Sequence, residues 1–216
     1  MSVNTTTERK SSPLSFWQSV LDPETARSPV TWSQVFAALA GIVLLTVFYG
    51  LAAGFFQGDQ QILVSAFKIP LVVSATLLLC LPSLYVFAVF AGAQLTVWTF
   101  FTTVLGFAGR LSLFAFATLP IVWLFSVSSQ YLLLMIAMHL VIWILSLALS
   151  RSALSWPGRP ARGVVTLWLV LVFVVSLQLA TVCRPVLLRP AYAPLFERGK
   201  VFFLEHFDHV AGKTSP

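Results

Sequence analysis

From Lys68 to Gln94 the chain reads KIPLVVSATLLLCLPSLYVFAVFAGAQ, and nothing between Ile69 and Gly92 is charged. An α-helix rises about 1.5 Å per residue, so about 20 apolar residues cross a hydrocarbon core of about 30 Å. Ile69 to Ala91 supplies them. Pro82 lies near the middle of the run, where it removes an N–H donor and clashes with the carbonyl of Leu78. In water that would end a helix. In a bilayer a kinked span survives if hydroxyls or neighbouring helices satisfy the freed backbone groups, and Ser74, Thr76 and Ser83 are close by. The stretch therefore predicts a kinked transmembrane helix inside a bundle, and it names no chemistry.

The rest of the chain is built to the same rule. It is 58% hydrophobic and 9% charged over 216 residues, whereas a soluble domain is about 45–50% apolar and about 25% charged. Five spans are expected at about 36–56, 69–91, 109–127, 131–149 and 163–183, giving an all-α, polytopic transmembrane bundle with flanking amphipathic interfacial helices. Residues 1–35 form a polar N-terminal tail with one short amphipathic helix, 36–183 the transmembrane domain, and 184–216 a partly interfacial tail. In the short helix Leu14, Trp17, Val20 and Leu21 share a face, with Ser12 and Pro13 at its start. That face suits either the membrane interface or contact with the bundle. Ile62 to Phe67 is read as interfacial, ahead of the kinked second span.

Residues 94–127 are the ambiguous segment, too long for one straight span and too short for two with a turn. Gly106, Gly109 and Arg110 divide it. The reading places 95–107 along the interface and the third span at 109–127, kinked at Pro120, with Arg110 snorkelling at headgroup level. A short hairpin here, making six spans, is the alternative.

Net charge is +6, with nine Arg and four Lys spread over tails and loops. That distribution fits anionic headgroups and not a nucleic-acid duplex. No short basic region with a cleavage site precedes the first span, so an uncleaved signal-anchor is expected. The preponderance of Arg suggests a GC-rich bacterial genome and hence a bacterial cytoplasmic (inner) membrane. Seven basic residues on one side of a five-span arrangement face six on the other. The basic loop Arg151–Arg162 favours an N-inside orientation with the C-terminus outside.

The order of these segments resembles the Yip (Ypt-interacting protein) family, in particular its bacterial branch. A polar N-tail precedes five spans, and Ala91-Gly92-Ala93-Gln94-Leu95 follows the second. Val104-Leu105-Gly106-Phe107-Ala108-Gly109 then leads to Leu119-Pro120, similar to an LGYA…P-like motif that opens that family's third span. The words Lys68-Ile69-Pro70 and Leu81-Pro82-Ser83-Leu84-Tyr85 and the Arg184-Pro185 tail are also similar to a group of bacterial integral membrane proteins. The likeness covers residues 36–183. Eukaryotic Yip proteins have a longer acidic and aromatic N-terminal region and a Gly-Pro word before the first span. Both are missing here, so binding of small GTPases is not carried over. The resemblance implies a five-span, non-enzymatic protein of membrane organisation or trafficking.

All seven carboxylates (Glu8, Asp22, Glu24, Asp59, Glu197, Glu205, Asp208) fall outside the expected spans. Proton relays and many cation-coupled carriers use intramembrane carboxylates. Their position argues against a proton-coupled carrier and against an intramembrane aspartyl protease. His139, mid-way along the fourth span, is either an interhelical hydrogen-bonding residue or a ligand, proton carrier or general base. Ser83 lacks the Gly-x-Ser-x-Gly surround of an activated nucleophile. Pro82 could mark a broken helix lining a site, or a packing kink. Arg151, Arg159, Arg162 and Trp156 could contact lipid headgroups or serve topology alone. His206 and His209 stand at i, i+3 without partner cysteines, and Cys80 and Cys183 sit too differently in the spans for a bridge. No cofactor or metal is expected. The partners expected are lipids and either another membrane protein or a second copy. The first functional expectation is a non-enzymatic scaffold or accessory subunit; the alternative is a small oligomeric channel or carrier lined by His139 and Pro82.

Overall fold

The computed structural model describes residues 16–18, 20, 30–56, 60–94, 96–129, 131–154 and 162–183. These fold into α1 (Trp32–Gly54), α2 (Gln60–Phe90), α3 (Val97–Ala117), α4 (Leu119–Ser128), α5 (Leu132–Ser150) with a 3-10 turn at Arg151–Ala153, and α6 (Arg162–Val182). A further helical turn is formed by Phe16–Gln18 and Val20. Five helices are long and apolar enough to cross a membrane: Trp32–Gly54, Ile62–Phe90, Val97–Ala117, Leu132–Ala153 and Gly163–Val182. Phe36, Phe67, Leu78, Phe90 and Ile144 are among many large apolar side chains that point outward. Water does not tolerate continuous apolar surface of that extent, and acyl chains do.

Local chemistry sets the helix ends. Thr31 precedes α1, and its backbone N–H donates to Gln34 Oε1 at 2.8 Å, satisfying a donor no helical carbonyl can reach. Thr96 caps α3 by accepting from the Thr99 N–H at 3.1 Å. Gly92, at φ 80°, makes the turn between α2 and α3 in the left-handed region that glycine enters without a Cβ clash.

Helix direction follows from side-chain pairs. Trp32 meets Trp98 near the starts of α1 and α3, and Phe48 meets Phe116 near their ends, so the two run parallel. Gly50 of α1 lies against the backbone of Ser65 and Ala66, which sets α2 antiparallel to α1. The Trp168 indole N–H donates to the Cys80 carbonyl at 2.9 Å and pins α6 to α2. The largest core joins α2, α3, α5 and α6 through Leu84, Phe107, Leu111, Leu147, Trp168 and Val172. A second joins the N-terminal turn to α1 and α3, and a third joins the end of α1 to α4 and α5.

Two expectations are corrected. The segment before Lys68 is not separate and interfacial: α2 is one helix from Gln60 through both Pro70 and Pro82. The third long helix is Val97–Ala117, not 109–127. The break comes at Thr118, and Pro120 sits in the first turn of α4, where its missing N–H is tolerated. The glycines taken as dividers lie inside α3, and Gly109 serves as a packing gap. At 10 residues α4 is too short to cross, which leaves no sixth span in this segment. The N-terminal turn packs on the bundle, with Phe16 and Val20 buried, so of its two expected locations the bundle is the observed one.

Candidate functional site

The Arg110 side chain ties three separate chain segments. It is the fourteenth residue of α3, about 20 Å along that helix. It therefore lies within the third long helix and not at its start, where the sequence placed it. A cation on a spanning helix is costly without partners, and Arg110 has them. Its Nε–H donates to the Val20 carbonyl at 2.7 Å, and an Nη1–H donates to Ser152 Oγ at 2.6 Å. The first acceptor belongs to the N-terminal turn and the second to the turn after α5. Helix side chains lean toward their own N-terminus, which carries the guanidinium toward the Trp32 end of the bundle.

The opposite half of the interior holds most of the other polar groups. Tyr49 and His139 meet edge to face, with ring centroids 5.8 Å apart. His139 Nδ1 lies 2.8 Å from the Met135 carbonyl oxygen. A carbonyl can only accept, so Nδ1 carries the proton and Nε2 is a bare acceptor. Among the described residues that Nε2 is buried without a partner, as are Gln178 Oε1, Ser126 Oγ and, at the Arg110 end, Ser150 Oγ. Lys68 is 7% exposed and lies near the Cys183 thiol across the α2–α6 contact. Midway along α5 and α6, the Trp143 indole N–H donates to Ser176 Oγ at 2.8 Å.

Most buried hydroxyls are used up locally. Thr46 donates to the Ile42 carbonyl, Thr76 to Val72, Ser112 to Gly109 and Ser176 to Phe173, each within its own helix. Ser83 likewise donates to the Cys80 carbonyl at 2.8 Å, beside the gap that Pro82 leaves in the hydrogen-bond ladder. Such back-bonding satisfies the hydroxyl without creating a site.

Of the residues singled out from sequence, the structure does not bring His139, Pro82 and Arg110 together. The Pro82 ring is on an exposed face of α2, while His139 faces Tyr49 of α1. Arg151 is exposed at the end of α5. Arg162 opens α6, and Trp156, Arg159, His206 and His209 lie outside the described residues. Among the described residues no group of three or more His, Cys, Asp or Glu could hold a metal ion. The glycines of the first span allow close approach of a neighbour, as Gly50 does against the α2 backbone; sequence reasoning missed the Trp168–Cys80 and Trp143–Ser176 bonds and the packing role of Gly109. The only signal for them was tryptophan and glycine inside otherwise aliphatic spans, which marks a contact without naming the partner. No protein-family model, curated protein or solved structure matches the chain.

Proposed function

We propose that this multi-pass membrane protein is a non-enzymatic scaffold or accessory subunit, in the manner of the Yip-like proteins its segment order resembles. The observation carrying this reading is how the bundle spends its polar groups. Thr46, Thr76, Ser83, Ser112 and Ser176 bond to their own helices, and the space they could have lined is filled by Leu84, Phe107, Leu111 and Trp168. A bundle so arranged offers its surroundings outer helix faces and not an interior path. The channel or carrier reading draws on one observation, the bare acceptors His139 Nε2 and Gln178 Oε1. Two atoms that each accept one hydrogen bond are also served by buried water.

The test is extraction of the full chain into lipid nanodiscs, followed by native mass spectrometry. A stoichiometric second protein is the expected result. A homo-oligomer that carries only lipid or a small molecule would overturn the accessory-subunit reading in favour of the carrier.

A further inference from the structure

Arg110 brings a positive charge to a spanning helix, and both of its bonded partners are neutral. A guanidinium offers N–H donors on Nε, Nη1 and Nη2 in a planar fork. The Val20 carbonyl takes the Nε–H and Ser152 Oγ takes one Nη1–H. The other Nη1–H and both on Nη2 have no acceptor among the described residues. Those residues contain no Asp or Glu, so none of them supplies a counter-ion. Arg110 is half-buried and Ser152 is exposed, so the pair is reached from outside the bundle.

Two further donors stand at the same place. Ser152 accepts from Arg110, and its own O–H reaches the Leu149 carbonyl only at 3.5 Å, too long for a strong bond. Arg151, the residue before it, is exposed and adds a second guanidinium to the turn. The surface that leads to this turn is aliphatic. Leu149, Leu145 and Val141 precede Ser152 by three, seven and eleven residues, a spacing that keeps them on one face of α5. Each of the three is about half exposed. The α5 surface thus carries an apolar strip that ends in a hydroxyl and two guanidinium groups.

We propose that this is a binding site for one anionic phospholipid. Its phosphodiester takes the unused Arg110 N–H groups, the Ser152 O–H and Arg151, and an acyl chain lies along Leu149, Leu145 and Val141. Arginine's planar fork matches two phosphate oxygens at once. Arg110 is already held by Val20 and Ser152, so little side-chain freedom is lost on binding. The second guanidinium favours a lipid with net negative charge over a zwitterion. A free anion would use the turn and leave the strip idle, which is why the ligand is assigned as a lipid. The site does not rest on the accessory-subunit reading, because lipid is counted per chain whatever protein accompanies it.

The test is native mass spectrometry of the delipidated full chain in detergent, titrated with phosphatidylglycerol or phosphatidylcholine of matched acyl chains. The unaltered protein is expected to bind one phosphatidylglycerol about tenfold more tightly than phosphatidylcholine. Arg110→Gln should weaken phosphatidylglycerol binding about tenfold, and Arg151→Gln about fivefold, with phosphatidylcholine unaffected by either. Millimolar inorganic phosphate should not displace the lipid. Equal affinity for the two lipids, or phosphatidylglycerol binding unchanged in both variants, overturns the proposal. Displacement by inorganic phosphate also overturns it, in favour of a free-anion site. If Arg110→Gln does not fold, Arg151→Gln, at an exposed position, decides alone: unchanged phosphatidylglycerol affinity overturns the site.

Discussion

The substitution Gly50→Ala adds one methyl at the closest approach of α1 and α2. The new Cβ would stand 2.6 Å from the Ser65 carbonyl oxygen and 2.8 Å from Ala66 Cα. The first distance is about 0.8 Å short of ordinary van der Waals contact. Both obstructing atoms are backbone, so no rotamer change relieves the overlap and the helices must separate. Overpacking of this kind costs about 1–3 kcal/mol, and the backbone location puts Gly50 near the upper end. Alanine regains up to about 1 kcal/mol of helix propensity over glycine. The net loss is about 2 kcal/mol, a shift of about 30-fold in the unfolding equilibrium. Gly106→Ala is the matched control, since no atom of the described residues lies within 4 Å of a Cβ there. It keeps the propensity gain and should be neutral or stabilising by up to about 1 kcal/mol. The readout is native to the chain: Cys80 and Cys183 are free and buried, so a fluorogenic maleimide reports unfolding in mixed micelles. A Gly50→Ala protein as stable as the unaltered chain, or one less affected than Gly106→Ala, would refute the claimed backbone contact.

Other predictions follow from single contacts and use the same maleimide assay. Trp168→Phe keeps most of the buried ring but removes the donor to the Cys80 carbonyl, and should cost about 1 kcal/mol; no measurable loss would mean that the α2–α6 pin is not formed. Trp143→Phe and Ser176→Ala, singly and together, should show a coupling energy of about 0.6–1.7 kcal/mol across α5 and α6. Additive effects would contradict that bond. His139→Leu removes a buried acceptor that has no partner at Nε2 among the described residues and keeps a similar volume, so stability should hold or rise. A clear destabilisation would show that Nε2 has a partner worth keeping.

The chain wrote its spans plainly and its contacts hardly at all. Charge-free runs of about 20 residues have few alternatives once water is excluded, so the first, fourth and fifth expected spans lie within a few residues of α1, α5 and α6. The third did not, and Pro120 shows why. Proline was taken as a kink inside a span, whereas it stands in the first turn of a new helix, and both uses leave the same sequence trace. Gly109 was similarly ambiguous, because a helix breaker and a packing gap are the same residue until the neighbour is known. That neighbour, the Phe16–Val20 turn, lies some 90 residues away in sequence. Arg110 was legible as an exception and not as a latch. The sequence placed it snorkelling at headgroup level, and neither a valine carbonyl nor a serine hydroxyl announces itself as its acceptor.

The measurement that bears most directly on the account is the side of the membrane reached by each end of the chain. Short epitope tags at residue 1 and residue 216, probed for protease access in sealed vesicles, report it without disturbing the bundle. Five crossings, with α4 not counted among them, place the two tags on opposite faces. Both tags on one face would mean that α4 crosses or that one of the five long helices does not, and the arrangement described above would be wrong.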